Sequence, residues 1–383
     1  MKVVVAIDSL KGSLSSIEAG TAIKEGILKA CKAEVIVKPL ADGGEGTVDA
    51  LLFGMGGKKI HITVTGPLGD KITASYGILN DGVTAVIEIA EAAGIKLVPK
   101  PKLNPLYTTT FGVGEIIRDA VFRGCRNFLV GIGGSATTDG GIGMLKALGY
   151  EFYDSDGNAV NPVGNDLIKI SGLNAENVLK ELSECSFRIA CDVNNPLYGP
   201  MGAAYVFGPQ KGATPETVKA LDDGLRNYAG VVKRITGRDN AACPGTGAAG
   251  GLGYAFLTFL NARLESGIKI ILDEIKLEED IKDADFVITG EGKIDFQTAM
   301  GKAPAGVARL AKKYGKKVIA FGGGVTEDAY KCNEEGIDAI FPILQLPMTV
   351  DEAMEYETAR KNLIATSTQV FRLINALHAE SLR

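Results

Sequence analysis

The stretch Val3-Val4-Val5-Ala6-Ile7-Asp8-Ser9-Leu10-Lys11-Gly12-Ser13 joins a β-branched apolar run to an acid, a hydroxyl, a cation and a glycine turn. Ser15-x-x-Glu18 follows as a capping box, in which each side chain satisfies an orphan backbone donor of the other, so a helix starts there. Strand, acidic turn and capped helix make a β/α unit, and three further runs have the same ending. Val35-Ile36-Val37 leads to Asp42, Arg188-Ile189-Ala190-Cys191 to Asp192, and Phe286-Val287-Ile288-Thr289 to Asp295. If these runs are parallel strands of open α/β sheets, their carboxyl ends border the crevice where such folds bind ligands. Acids there hold a metal or take a proton, and glycine turns offer backbone N–H groups to an anion. A cation site beside a phosphate site points to phosphoryl transfer.

Strand and helix alternate to about residue 59, after which the texture changes. The runs 60–64, 71–79 and 85–89, joined by Gly66-Pro67-Leu68-Gly69-Asp70 and Asn80-Asp81-Gly82, predict antiparallel strands with tight turns. Helices are expected over 108–122, 141–148 and 254–264, the last ended by Gly267, and strands over 128–132 and 203–207. A loop or hairpin is expected over 151–166, and β/α alternation returns from Asp285 with strands at 286, 317–321 and 339–343. The expected fold is α/β with two domains, a flavodoxin-like doubly wound parallel sheet interrupted by a second, inserted α/β domain with mixed strands. Residues 1–60 and 281–383 form the first and 61–280 the second, with the active site expected in the cleft between them.

The length of 383 residues favours two domains, and 46% apolar content furnishes both cores. A net charge of -5 disfavours a polyanion surface, so nucleic acid is not an expected partner. No apolar stretch approaches the roughly 20 residues that span a bilayer, and the chain opens directly into a strand, so no membrane partner and a cytoplasmic location are expected. The six cysteines contain no CxxC pair and read as free thiols. Only two histidines occur, His61 on an alternating strand and His378 on a C-terminal amphipathic helix. Both read as structural, which makes a Ser-His-Asp hydrolase or a multi-histidine zinc site improbable and leaves carboxylates as the candidate bases. Subunit count stays open, a homo-oligomer included.

Gly131-Ile132-Gly133-Gly134-Ser135-Ala136 fits GxGxxA after a strand, the context of a dinucleotide turn. Thr137, Thr138 and Asp139 follow where the helix should already run, and this polar set suits a polar ligand better. Gly245 to Gly250 repeats the pattern without a preceding strand; Gly247, Gly250 and Gly251 there are phosphate candidates at a helix start. No GxxxxGK[ST] occurs, which excludes a P-loop kinase. Asp8, Ser9, Gly43, Gly44, Gly133, Gly134, Ser135 and Asn194 complete the substrate and phosphate candidates. Gly290, Gly292 and Lys302 are nucleotide candidates, and Glu291 and Asp295 are candidates for Mg²⁺, which binds through one or two carboxylates plus substrate phosphates.

Read in order, Asp8 to Ser13, Ala41 to Gly46, Gly131 to Gly141, Asp192 to Pro196, Val206-Phe207-Gly208-Pro209-Gln210-Lys211-Gly212, Gly247 to Gly253 and Ile288 to Gly292 resemble the bacterial type I glycerate kinase family. The resemblance covers nearly the whole chain. It implies ATP-dependent phosphorylation of D-glycerate with Mg²⁺, a product that is 2-phosphoglycerate rather than 3-phosphoglycerate, and a fold in which one domain interrupts the other. Leu10 stands where the family often has phenylalanine, and Thr246 where alanine is common. A small hydroxy acid needs a cation for its carboxylate, a base near its hydroxyl and a metal for ATP. Lys11 is the expected cation, and Asp192 or Asp42 the expected base. Two rivals are a nicotinamide-dependent reductase, which would use the GxGxxA turn, and a non-catalytic glycerate sensor, which would bind glycerate without nucleotide.

Overall fold

The computed structural model describes residues 1–380; the side chains of 378–380, and with them that of His378, lie outside the described residues. Two compact units divide the chain. One comprises 1–42, 49–55 and 268–383, the other 43–48 and 56–267.

The first unit is built on a five-stranded parallel sheet. From edge to edge its strands are Ala339–Pro342, Lys317–Val325, Phe286–Ile294, Lys2–Val5 and Glu34–Val37. Numbered along the chain, this is the order 2-1-3-4-5 of a flavodoxin-like fold. Val3 pairs with Phe286 on one side and Val35 on the other, so Lys2–Val5 and Phe286–Ile294 lie inside the sheet and Glu34–Val37 forms one edge. The helix Ser16–Ala30 starts as the capping box predicts, with Glu18 N donating to Ser15 Oγ at 3.2 Å and Ser15 N to Glu18 Oε2 at 2.8 Å. Its Ile23 and Ile27 share a core with Val3, Val5 and Phe286 and with Leu363 and Phe371 of the C-terminal helix Tyr356–Glu380.

The second unit carries a six-stranded mixed sheet in the order Arg263–Glu265, Ser186–Ala190, Asn127–Gly131, Thr84–Glu88, Lys71–Leu79, Gly57–Thr65. The first four strands run parallel, and the last two form the expected antiparallel hairpin, closed where Gly66 N donates to Asp70 O at 2.7 Å. Fully buried Ile87, Ile116, Ile189, Leu225, Tyr228 and Phe256 fill its core.

Three local expectations are corrected. Ala203–Phe207 is a helix rather than a strand: Ala203 and Ala204 are buried together while Tyr205 and Val206 are exposed together, which no alternating strand permits. The glycine-rich helix spans Ala248–Phe259, and Leu264 belongs to an edge strand; Asn261, in the left-handed region at φ 50°, turns the chain between them. Gly267 opens the next helix, Gly267–Glu274, instead of ending the previous one. The stretch 151–166 does begin a hairpin, Glu151–Tyr153 pairing antiparallel with Gly172–Asn174. All six cysteines are free, and no helix among the described residues is long and apolar enough to cross a membrane.

Candidate active site

In the first unit the strand order reverses between Lys2–Val5 and Phe286–Ile294, the switch point at which open α/β sheets bind ligands. The pairing continues past the strand end, with Asp8 N donating to Gly290 O at 3.0 Å and Leu40 N to Ile7 O at 2.9 Å. Asp8, Asp42 and Glu291 are thereby delivered to one edge of one sheet. Asp8 is buried; that burial, reinforced by the charge of Asp42, pushes its carboxyl up to about 7 against the opposing effects of the Ser9 N–H, 2.6 Å away, and of Lys11. The Lys11 ammonium lies 3.4 Å from Asp42, and this neighbour raises its pKa.

Glu291 is buried too. Its Oε1 accepts from Thr298 Oγ1 at 2.6 Å, Lys302 Nζ lies 3.5 Å from Oε2, and burial raises the carboxyl's pKa while these two partners oppose the rise. Asp295 turns to a different task. Its carboxylate accepts from Gln297 N at 2.9 Å and caps the short helix Phe296–Ala299, and its own N–H donates to Thr298 Oγ1 at 3.1 Å. Thr298, which sequence reasoning did not single out, thus links the two candidate metal ligands. Among the described residues no group of three or more His, Cys, Asp or Glu is arranged to hold a metal. A magnesium ion that takes its remaining oxygens from phosphates does not need one.

In the second unit the turn Gly43–Val48 packs over the carboxyl ends of Asn127–Gly131 and Ser186–Ala190. A Cβ on Gly131 would lie 2.0 Å from Gly43 O, and one on Gly43 would lie 2.3 Å from Ala190 Cβ, so only glycine lets these backbones meet. Gly44 lies against Gly133, and Gly43 and Gly134 both have φ in the left-handed region. Glu88, at the end of Thr84–Glu88, holds the turn by accepting from Val48 N at 2.8 Å and Gly46 N at 3.3 Å.

Asp139 faces inward. Fully buried, it accepts from Thr110 N and Thr110 Oγ1 at 2.8 Å each, Gly141 N at 3.1 Å and Gly143 N at 3.3 Å, and so ties the loop to the helix Phe111–Phe122. Beside it the buried hydroxyls of Thr137 and Thr138 have no hydrogen-bond partner among the described residues. Lys211, another residue given no role by the sequence, donates from inside the unit to Ser135 Oγ and to Thr137 O. Its signal was a lone lysine in Gly208-Pro209-Gln210-Lys211-Gly212, a setting in which most lysines are solvated.

Gly250 and Gly251, at φ 69° and 94°, pack against residues 137–140; a Cβ on Gly250 would stand 2.0 Å from Thr137 O. Gly247 meets Pro196 O in the same way, and its N–H donates to Asn195 O. Ala249, Gly250 and Gly251 are all left-handed, so regular helix begins only after them, and this segment braces the Thr137–Gly140 loop from behind. Asp192 is exposed, with Oδ1 accepting from Gly267 N at 3.0 Å, and Asn194 is exposed two residues on.

Residues 3–375 match the profile of the glycerate kinase family. The chain is 46% identical over 372 residues to the glycerate 2-kinase of Escherichia coli K12, covering 96% of this chain and 98% of that one. It is 44% identical to the glycerate kinase of Bacillus subtilis 168, covering 93% and 94%. A crystal structure assigned as a glycerate kinase 2 from Salmonella typhimurium LT2 superposes with a TM-score of 0.91 at 43% identity over 99% of both chains. A flavodoxin-like sheet with carboxylates at its switch point, an inserted mixed sheet, and agreement with these relatives from end to end make this chain a member of the glycerate kinase family.

Proposed function

We propose that the protein transfers the terminal phosphoryl group of ATP to D-glycerate, with Mg²⁺, and that the product is 2-phosphoglycerate, as in the type I branch of the family. The observation that carries this reading is the gathering of Asp8, Asp42 and Glu291 around the Lys11 ammonium at the switch point of the flavodoxin-like sheet. Phosphoryl transfer is achieved mainly by positioning and electrostatic stabilisation, so the acceptor alcohol needs an oriented carboxylate rather than a strong base. Asp42 or Asp192 takes the hydroxyl proton. Lys11 holds the glycerate carboxylate or the transferring phosphoryl group, and charge-assisted hydrogen bonds of this kind are about twice as strong as neutral ones.

Glu291 fits Mg²⁺, because its carboxyl is buried beside further acids and is fixed by Thr298 and Lys302. Asp295, engaged as a helix cap, is the second candidate. A magnesium ion held there would neutralise charge on the phosphate oxygens. Gly290, Gly292 and Lys302 border the nucleotide, and Gly43, Gly44, Gly133, Gly134, Ser135 and Asn194 approach substrate or phosphate. Thr137, Thr138, Asp139, Gly247, Gly250 and Gly251 support that loop. A reductase would need the GxGxxA turn open to a pyrophosphate, and in this protein the Gly43 carbonyl lies against it.

The test is incubation with MgATP and D-glycerate, followed by ³¹P and ¹H NMR of the product. Phosphate on carbon 2 is expected; phosphate on carbon 3 overturns the regiochemistry, and unchanged ATP overturns the kinase reading. Asp42→Asn and Asp192→Asn are each expected to lower kcat by about a hundredfold or more, the usual contribution of a positioned acid or base. Near-normal turnover in both removes them from the reaction.

A further inference from the structure

Lys211 has its amine sealed in the interior, 2% exposed. The short turn Pro209–Lys211 aims it inward, and Gly212 ends that turn in the left-handed region, where a Cβ would stand 2.3 Å from Leu103 O. Nζ donates to Ser135 Oγ at 2.8 Å and to Thr137 O at 2.6 Å. No carboxylate forms an ion pair with it among the described residues. Asp139 is near enough to favour its charge, but the Asp139 oxygens are taken by Thr110, Gly141 and Gly143. Burying an ammonium without a counter-ion is unfavourable, and a methionine would fill the space more cheaply. The backbone of the Gly134–Ala136 turn is already held by residues 93–95, where Ala136 N donates to Ala93 O and Ile95 N to Gly134 O. The lysine therefore adds little to where the turn lies. It decides what the Ser135 hydroxyl does.

We propose that Lys211 is a positioning residue for phosphoryl transfer: by donating to Ser135 Oγ it occupies a lone pair there and leaves the Ser135 proton to be donated to an anionic oxygen of bound glycerate or ATP. Its second bond, to the Thr137 carbonyl, holds the following residues in register. A hydroxyl that accepts a hydrogen bond from a buried amine is polarised and is the stronger donor in turn. This inference rests on the reading of the 133–135 turn as a ligand contact.

A double-mutant cycle tests it, with kcat and KM for glycerate and for ATP measured on wild type, Ser135→Ala, Lys211→Met and the double variant, and with Lys211→Arg as a partial rescue. Each single change is expected to lower kcat/KM for one substrate about tenfold to a hundredfold, the range for one hydrogen bond to a charged group. The double variant should lose little more than either single one, because both remove the same interaction. Losses that multiply overturn the proposal, since a lysine that merely supports the fold acts independently of the Ser135 hydroxyl. Should Lys211→Met fail to fold, Ser135→Ala decides alone, and full activity there overturns the proposal. A wild-type protein without glycerate kinase activity overturns the underlying function as well, so the two failures are told apart in one assay.

Discussion

At the scale of single residues, burial decides which charges this protein keeps. Lys211 has no ion pair to compensate for the loss of water, and burial depresses its amine to about 7 from the ordinary 10.5. Between these values the unfolded chain binds more protons than the folded one, so stability rises with pH across that window and levels off above it. Below pH 7 both states are protonated, and the full penalty of the buried charge is present. Urea unfolding of wild type and Lys211→Met between pH 6.5 and 10 is therefore expected to show a difference that closes as pH rises. A constant offset would mean that the amine titrates normally. Asp139 differs in its partners: burial raises its carboxyl's pKa, and four donors oppose that rise. Asp139→Asn places an amide N–H₂ against N–H groups it cannot pair with. A loss of about 1–3 kcal/mol or more in the same urea experiment is expected, the range for a buried polar group left unsatisfied.

Among the elements, the turn Gly43–Val48 matters most, because it is packed on strands distant in sequence. Gly131→Ala isolates that packing, since the φ of Gly131 is not left-handed and the nearest atoms in the way are the backbone of Gly43, whose O would lie 2.0 Å from the new Cβ. The turn must shift, and Asp42, its covalent neighbour, shifts with it. Overpacking of this kind costs about 1–3 kcal/mol. The expected result is a folded variant with a lowered thermal midpoint whose kcat falls about tenfold or more, since an ångström of misplacement has that effect or a larger one; normal turnover would show that the turn does not position the chemistry. The sequence announced this turn through Ala41-Asp42-Gly43-Gly44-Glu45-Gly46 but not its partners, because the meeting of Gly43 with Ala190 and Gly131 is a tertiary event without local signature. Ala203–Phe207 was misread for a related reason: in five residues Tyr, Val and Phe outweighed a burial pattern that only the surrounding core reveals.

At the level of the whole molecule, the parallel sheet and the 57–79 hairpin were legible, because strand-ending acids recur after apolar runs and the hairpin carries its turn residues openly, whereas the edge strand Arg263–Glu265 lay hidden in an expected helix. The inward-facing groups were less so. Nothing local distinguishes the buried Lys211 or the loop-anchoring Asp139 from solvated residues, and Asp295 reads equally well as ligand or helix cap. The insertion has a further consequence for folding. Residues 56–267 contain all six strands of the mixed sheet and a continuous core from Val64 to Ala262. A unit with its own core and sheet is expected to fold alone. A fragment of residues 56–267 should therefore show native-like far-UV circular dichroism and one cooperative urea transition. It lacks the Gly46 and Val48 N–H groups that bind Glu88, so its midpoint should fall below that of the same unit in the full chain. Non-cooperative unfolding of the fragment would mean that residues 43–48 complete the sheet's core rather than merely rest on it.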